Sequence, residues 1–81
     1  MIVKVSLFAA AKDMMGTEEL EIALDDSATL GELKQTLVEQ NPSLLELVEK
    51  SAFSIDKDYV VDEKPLYHGA VVSLIPPVSG G

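Results

Sequence analysis

The chain opens on an alternation. Val3, Val5 and Leu7 share one parity, and Ile2, Lys4, Ser6 and Phe8 share the other. That period of two predicts a strand over residues 2–8, with one face apolar throughout. Ala9 to Met15 has room for a short helical turn, which Gly16 ends. Leu20, Ile22 and Leu24 then alternate with Glu19, Glu21 and Ala23, giving a second strand and a hairpin with a long loop. Asp25-Asp26-Ser27 breaks the pattern. From there the period changes: Leu30, Leu33, Leu37 and Val38 recur at helical spacing, so a helix runs to about Gln40. Thr29-Leu30-Gly31-Glu32 reads as a capping box, with the Thr29 hydroxyl on the Glu32 amide and the Glu32 carboxylate reaching back. Asn41-Pro42 stops this helix. Ser43 to Lys50 predicts a shorter second one, with Ser43 and Glu46 as its capping box and Leu44, Leu47 and Val48 as its apolar side.

The last third returns to strands. Phe53 and Ile55 start one, Asp56-Lys57-Asp58 turns the chain, and Tyr59-Val60-Val61 resumes extended backbone. Asp62 to Pro65 is a polar connection. His68-Gly69 turns into a final strand, Val71 to Ile75. The expected class is α+β: a mixed sheet of about five strands with one main helix and a short second helix on one face. The first and last strands are expected to lie parallel in mid-sheet, joined by the long crossover through the helices. If Val72 and Leu74 face the helix, Ile75 lies on the open face with Phe8; Tyr59 sits next to a turn, where parity does not fix its side, and if it joins them the three form an exposed apolar patch of the kind that marks a partner.

Composition narrows the function. Eighty-one residues hold one domain. Fourteen Asp and Glu stand against six Lys, for a net charge of −8. Phosphate contacts need a basic patch, so nucleic acid is a poor partner, whereas a protein with a basic face suits this surface. There is no cysteine, which removes disulfides, thiolate metal sites and a catalytic thiol. No stretch reaches the length of a membrane span. The N-terminal apolar run is short and interrupted by Lys4 and Ser6, so a strand is expected there and not a signal peptide. The cytoplasm is the expected compartment.

A side-chain active site is hard to find. His68 is the single histidine and sits beside a turn glycine, where a solvated turn residue is expected. Asp56 and Asp58 lack the spacing of a cation loop. The serines have no adjacent base. No metal site and no cofactor bound by this chain are expected. The tail is different. Pro76 and Pro77 have no N–H for a ladder and hold the backbone extended. Val78, Ser79, Gly80 and Gly81 complete a six-residue arm that reaches about 20 Å when extended. Two residues without Cβ make its end narrow enough to enter a tunnel, with the Gly81 carboxylate leading. A carboxylate needs activation before acyl chemistry. ATP can turn it into an acyl-adenylate, which a sulfur donor converts to a thiocarboxylate or a lysine amine to an isopeptide. This chain carries neither a nucleotide site nor a general base, so other proteins must do both. The expected division is a domain over 1–75 and an extended tail over 76–81.

These residues carry a family resemblance over the whole chain. Lys4-Val5-Ser6-Leu7-Phe8-Ala9, the loop to Gly16, Thr29-Leu30-Gly31-Glu32-Leu33, Tyr59-Val60 and above all Val72-Ser73-Leu74-Ile75-Pro76-Pro77-Val78-Ser79-Gly80-Gly81 resemble the sulfur-carrier small subunits of molybdopterin synthase, members of the ubiquitin-like β-grasp group. The resemblance implies a β-grasp fold and a non-catalytic carrier role. A ubiquitin-activating-type adenylyltransferase would activate Gly81 with ATP, and a sulfur donor protein would make the thiocarboxylate. The tail would enter the large synthase subunit and deliver sulfur to cyclic pyranopterin monophosphate, forming the molybdopterin dithiolene within a heterotetramer. Phe8, Tyr59 and Ile75 fall where such subunits place open-face contacts. Sulfur carriage for thiamin thiazole or tRNA thiolation, or conjugation as a protein modifier, fits the same architecture. His68-Gly69-Ala70 lacks the acidic residues that often flank this turn glycine in the family.

Overall fold

A computed structural model describes residues 1–77. Five strands form one sheet: β1 (Ile2–Leu7), β2 (Glu19–Ala23), β3 (Ala52–Ile55), β4 (Asp58–Tyr59) and β5 (Val71–Ile75), in the spatial order β2-β1-β5-β3-β4. β1 and β5 run parallel beside each other, and the other neighbouring pairs are antiparallel. Three helices, α1 (Ala9–Met15), α2 (Leu30–Gln40) and α3 (Leu45–Lys50), complete the ubiquitin-like β-grasp architecture that the resemblance implied.

The inward parity of each strand and the inward stripe of α2 meet in one core. Val3, Val5, Leu7, Ile22, Phe53, Ile55, Val72 and Leu74 come from the sheet, and Leu30, Leu33 and Leu37 from α2; all are buried. Burying an aliphatic side chain of this size stabilises the fold by about 1.5–3 kcal/mol before chain entropy is set against it. Leu44 and Val48 close the core from the side.

Local chemistry fixes the element ends. Gly16 closes α1 in the left-handed region (φ 67°), donating its N–H to the Lys12 carbonyl at 2.8 Å. A side chain at that φ would be strained. Thr29 caps α2, its Oγ1 accepting from the Glu32 amide at 3.4 Å. Among the described residues the reciprocal bond from the Glu32 side chain is absent, so the expected box is half made. The second capping box fails. Pro42–Leu44 is a 3-10 turn, α3 begins only at Leu45, and no side chain caps it. Proline at the start of that turn sets the φ of a tight helical turn, which moves the α-helical start past Ser43. The Asp56-Lys57 turn joins β3 to β4 with both residues at positive φ, 51° and 71°. Two positive values in a two-residue hairpin loop define the primed turn whose twist matches the strands. β4 is shorter than expected. Its ladder ends at Tyr59, although the Val60 amide still donates to the Phe53 carbonyl at 3.0 Å.

Candidate functional site: the open sheet face and the exit of the tail

The helices cover one face of the sheet, and the other parity of every strand is left on the opposite face. Register shows how its residues line up. Ser6 pairs with Glu19 on one side and Ser73 on the other; Ser73 pairs with Ser54, and Ser54 with Tyr59. One transverse row therefore reads Glu19, Ser6, Ser73, Ser54, Tyr59 across all five strands. This row settles the side of Tyr59, which lies opposite Ser54 and so on the open face. It is 73% exposed. Along this row Ser54 is buried, Ser6 and Ser73 are half-buried, and Tyr59 at the β4 edge is the exposed member.

The next row is apolar. Ile75 pairs with Ala52, and Leu7 pairs with Leu74 in the parallel ladder. The following step in that register brings Phe8 beside Ile75. Phe8 keeps extended backbone (φ −130°, ψ 155°) at the N-cap of α1 and is 51% exposed. Ile75 is half-buried. On the far side of the serine row lie Val71 and Ile2, both exposed. Lys4 sits between them and Glu19, with its Nζ 4.0 Å from the Glu19 carboxylate. Two partly solvated charges at that distance contribute little stability. A hollow beside Phe8 is lined by Ser6, Leu7, Lys12, Glu18 and Glu19, and Lys12 pairs with Glu18 there at 3.0 Å.

The tail leaves from this apolar end. Pro76 is half-buried and Pro77 exposed, directly after Ile75 on the central strand. Val78, Ser79, Gly80 and Gly81 lie outside the described residues. The structure thus brings Phe8, Ile75 and the start of the tail together, with Tyr59 one row away. Among the described residues no group of three His, Asp or Glu side chains is arranged to hold a metal ion, and no helix is long and apolar enough to cross a membrane.

His68 has a structural role that its position in the sequence did not reveal. Its Nδ1 accepts the Ile2 backbone N–H at 2.9 Å, while the Gly69 N–H donates to the Ile2 carbonyl at 2.8 Å. Both backbone groups of Ile2 are thereby tied to the turn that leads into β5. An accepting Nδ1 places the ring proton of a neutral imidazole on Nε2. A sequence signal for this contact is lacking, because residues 66 positions apart meet only once the parallel pair has formed.

A model described as the ThiS family matches residues 5–81. The chain is 31% identical, over all of both lengths, to a molybdopterin synthase sulfur carrier subunit of Chlamydomonas reinhardtii. It is similar to a chain in the complex of subunits 1 and 2 of the molybdopterin-converting factor from Helicobacter pylori, at 29% identity and a TM-score of 0.72, with each chain fully covered. The crystal structure of SAMP1 from Haloferax volcanii is similar in fold, with a TM-score of 0.88 at 22% identity over all of both chains.

Proposed function

We propose, for a chain that belongs to the ThiS family, the role of sulfur-carrier subunit of a molybdopterin synthase. The observation that carries the reading is the full-length likeness to a curated carrier of that synthase, in a chain whose Pro-Pro-Val-Ser-Gly-Gly end follows the central strand at the apolar end of the open face. In this reading the large synthase subunit covers Phe8, Tyr59 and Ile75, and the tail of residues 76–81 threads into its active site. The Helicobacter complex of subunits 1 and 2 supports a pairing of this kind.

The chemistry runs on the main chain. In a partner adenylyltransferase, a Gly81 carboxylate oxygen attacks the α-phosphorus of ATP and pyrophosphate leaves. Sulfide, delivered at that oxidation level by a sulfur donor protein, then attacks the acyl carbon, and AMP leaves with the C–O bond electrons. The resulting thiocarboxylate is a nucleophile on a narrow arm. Its sulfur attacks a carbon of the pterin precursor and displaces an oxygen substituent there; water then cleaves the resulting thioester, leaving the sulfur on the pterin and the carboxylate on Gly81, and a second loaded carrier supplies the other sulfur of the dithiolene. This chain contributes the arm, its exit direction and a docking face; catalysis belongs to the partners. A small domain that holds together without cysteine suits a reducing compartment, and we place it in the cytoplasm.

Intact-mass measurement tests the reading. The protein is incubated with ATP, an activating enzyme and a sulfide source. We expect an oxygen-for-sulfur mass increase on the wild type, and none on a variant lacking Gly81 or extended by one residue. Adding a large subunit and the pterin precursor should return the mass to the carboxylate form as dithiolene appears. An unchanged mass, or equal sulfur loading of the extended variant, counts against the carrier role. Loading without dithiolene formation moves the sulfur to another acceptor.

A further inference from the structure

The helical side of the molecule carries a second surface that the sulfur-carrier reading does not use. An open groove of about 870 Å³ runs between α2, α3 and the 62–63 connection. Its floor is apolar: Val38 is half-buried, Val48 is buried, and Leu45 stands 47% exposed at the start of α3. Carboxylates line it on several sides, with Glu32 and Glu39 from α2, Glu49 from α3 and Glu63 from the connection. None of these four makes an ion pair among the described residues, where the pairs are Met1–Asp26, Lys4–Glu19, Lys12–Glu18 and Lys34–Asp62. The one cation in the lining, Lys34, is committed. Its Nζ lies 2.6 Å from the Asp62 carboxylate and 5.0 Å from the centroid of the Phe53 ring.

We infer that this groove docks a basic amphipathic helix of a partner protein. Such a helix would lay an apolar stripe on Leu45 and the exposed part of Val38, over the buried Val48, and would set Lys or Arg side chains against Glu32, Glu39, Glu49 and Glu63. The match is one of shape and charge: an apolar floor within an acidic rim complements an apolar stripe within basic edges. A second copy of this chain is a poor occupant, since each copy carries a net charge of −8 and like-charged surfaces repel. The groove lies on the helical side of the sheet, where Leu30, Leu33 and Leu37 of α2 are buried, whereas Phe8, Ile75 and Tyr59 lie on the opposite sheet face. Both surfaces can therefore be occupied at once, and the groove stands whether or not the tail carries sulfur.

Amide chemical-shift mapping on the full chain tests this. The probe is a synthetic Leu/Lys peptide of about four helical turns, with Leu at helical spacing and Lys along both edges of the stripe. A control peptide keeps the Lys residues and replaces every Leu with Ser. We expect shifts centred on Val38, Leu45, Val48 and Glu49, with Phe8 and Tyr59 unmoved. Binding should weaken about tenfold or more in the Glu39→Lys/Glu49→Lys double variant. The milder Glu39→Gln/Glu49→Gln pair should weaken it in the same direction, and Leu45→Ser should weaken it with the charges intact. Melting curves establish that each variant is folded. Equal binding of the Ser control, shifts centred on the sheet face, or no loss in the Gln pair would overturn the proposal. So would concentration-dependent shifts in the groove without peptide, which would assign it to self-association.

Discussion

Phe8 is the residue at which docking and folding separate most cleanly. It is half exposed at the apolar end of the open face, outside the core that Val3, Val5 and Leu7 build on the other side of β1. We expect Phe8→Asp to cost the complex with a large subunit about 2 kcal/mol or more, in the range of an interface anchor. Its cost to folding should stay near 0.5 kcal/mol or below, since Phe8 lies outside the core and makes no cap bond, and Asp is a favoured N-cap for α1. A binding titration alongside chemical denaturation checks this, and unchanged affinity would take Phe8 out of the interface. Parity alone puts Phe8 and Ile75 on the open face, and the β1–β5 register, continued one step past Leu7 and Leu74, sets them side by side. Tyr59 needed the structure, because a residue next to a turn has no secure parity until its cross-strand partner, Ser54, is known. His68 was the least legible of the candidate residues, since its partner Ile2 lies at the other end of the chain.

Among the elements, α2 and the β3–β4 hairpin hold two positions where the local residue is not the best one for its backbone. Gly31 lies in the first turn of α2, where a Cβ would meet the Asp62 Cβ and carbonyl oxygen at 3.4 Å, an ordinary contact. Gly31→Ala should therefore stabilise the protein, by a few tenths up to about 1 kcal/mol of helix propensity. Lys57 holds φ 71° in the β3–β4 turn, a region that disfavours residues with a Cβ by about 1–2 kcal/mol. Lys57→Gly should raise stability by roughly 1 kcal/mol, less the extra freedom that glycine has when unfolded. Thermal melting decides both, and a lower melting temperature in either variant contradicts the corresponding argument. The elements themselves were largely readable, because the switch from period two to helical spacing and back is unbroken by functional side chains. The failures sit at ends. The expected Ser43 cap gave way to a 3-10 turn, and the β4 ladder stops at Tyr59, short of Val60 and Val61.

At the scale of the whole molecule, excess negative charge should make stability rise with salt. Fourteen acidic side chains face six lysines, and three of the described lysines are engaged in the ion pairs found. Self-repulsion then outweighs surface pairing. Raising ionic strength from about 0.01 M to 0.15 M shortens the screening length from about 30 Å to 8 Å, which is less than the 24 Å and 39 Å extents of the molecule. A melting temperature that climbs over this interval is expected, and one that falls would mean that the pairs dominate. The sequence by itself determined the elements, the face of β1 and β5 that meets α2 and the acidity, because each follows from nearest-neighbour pattern or from composition. Only the tertiary structure decided which exposed residues become neighbours. The serine row, the meeting of Phe8 with Ile75 and the tie from His68 to Ile2 arise from the parallel β1–β5 pair and its neighbours, and the acidic groove from the packing of the 62–63 connection against α2 and α3. Contacts of that separation depend on register and loop closure, which no local pattern encodes.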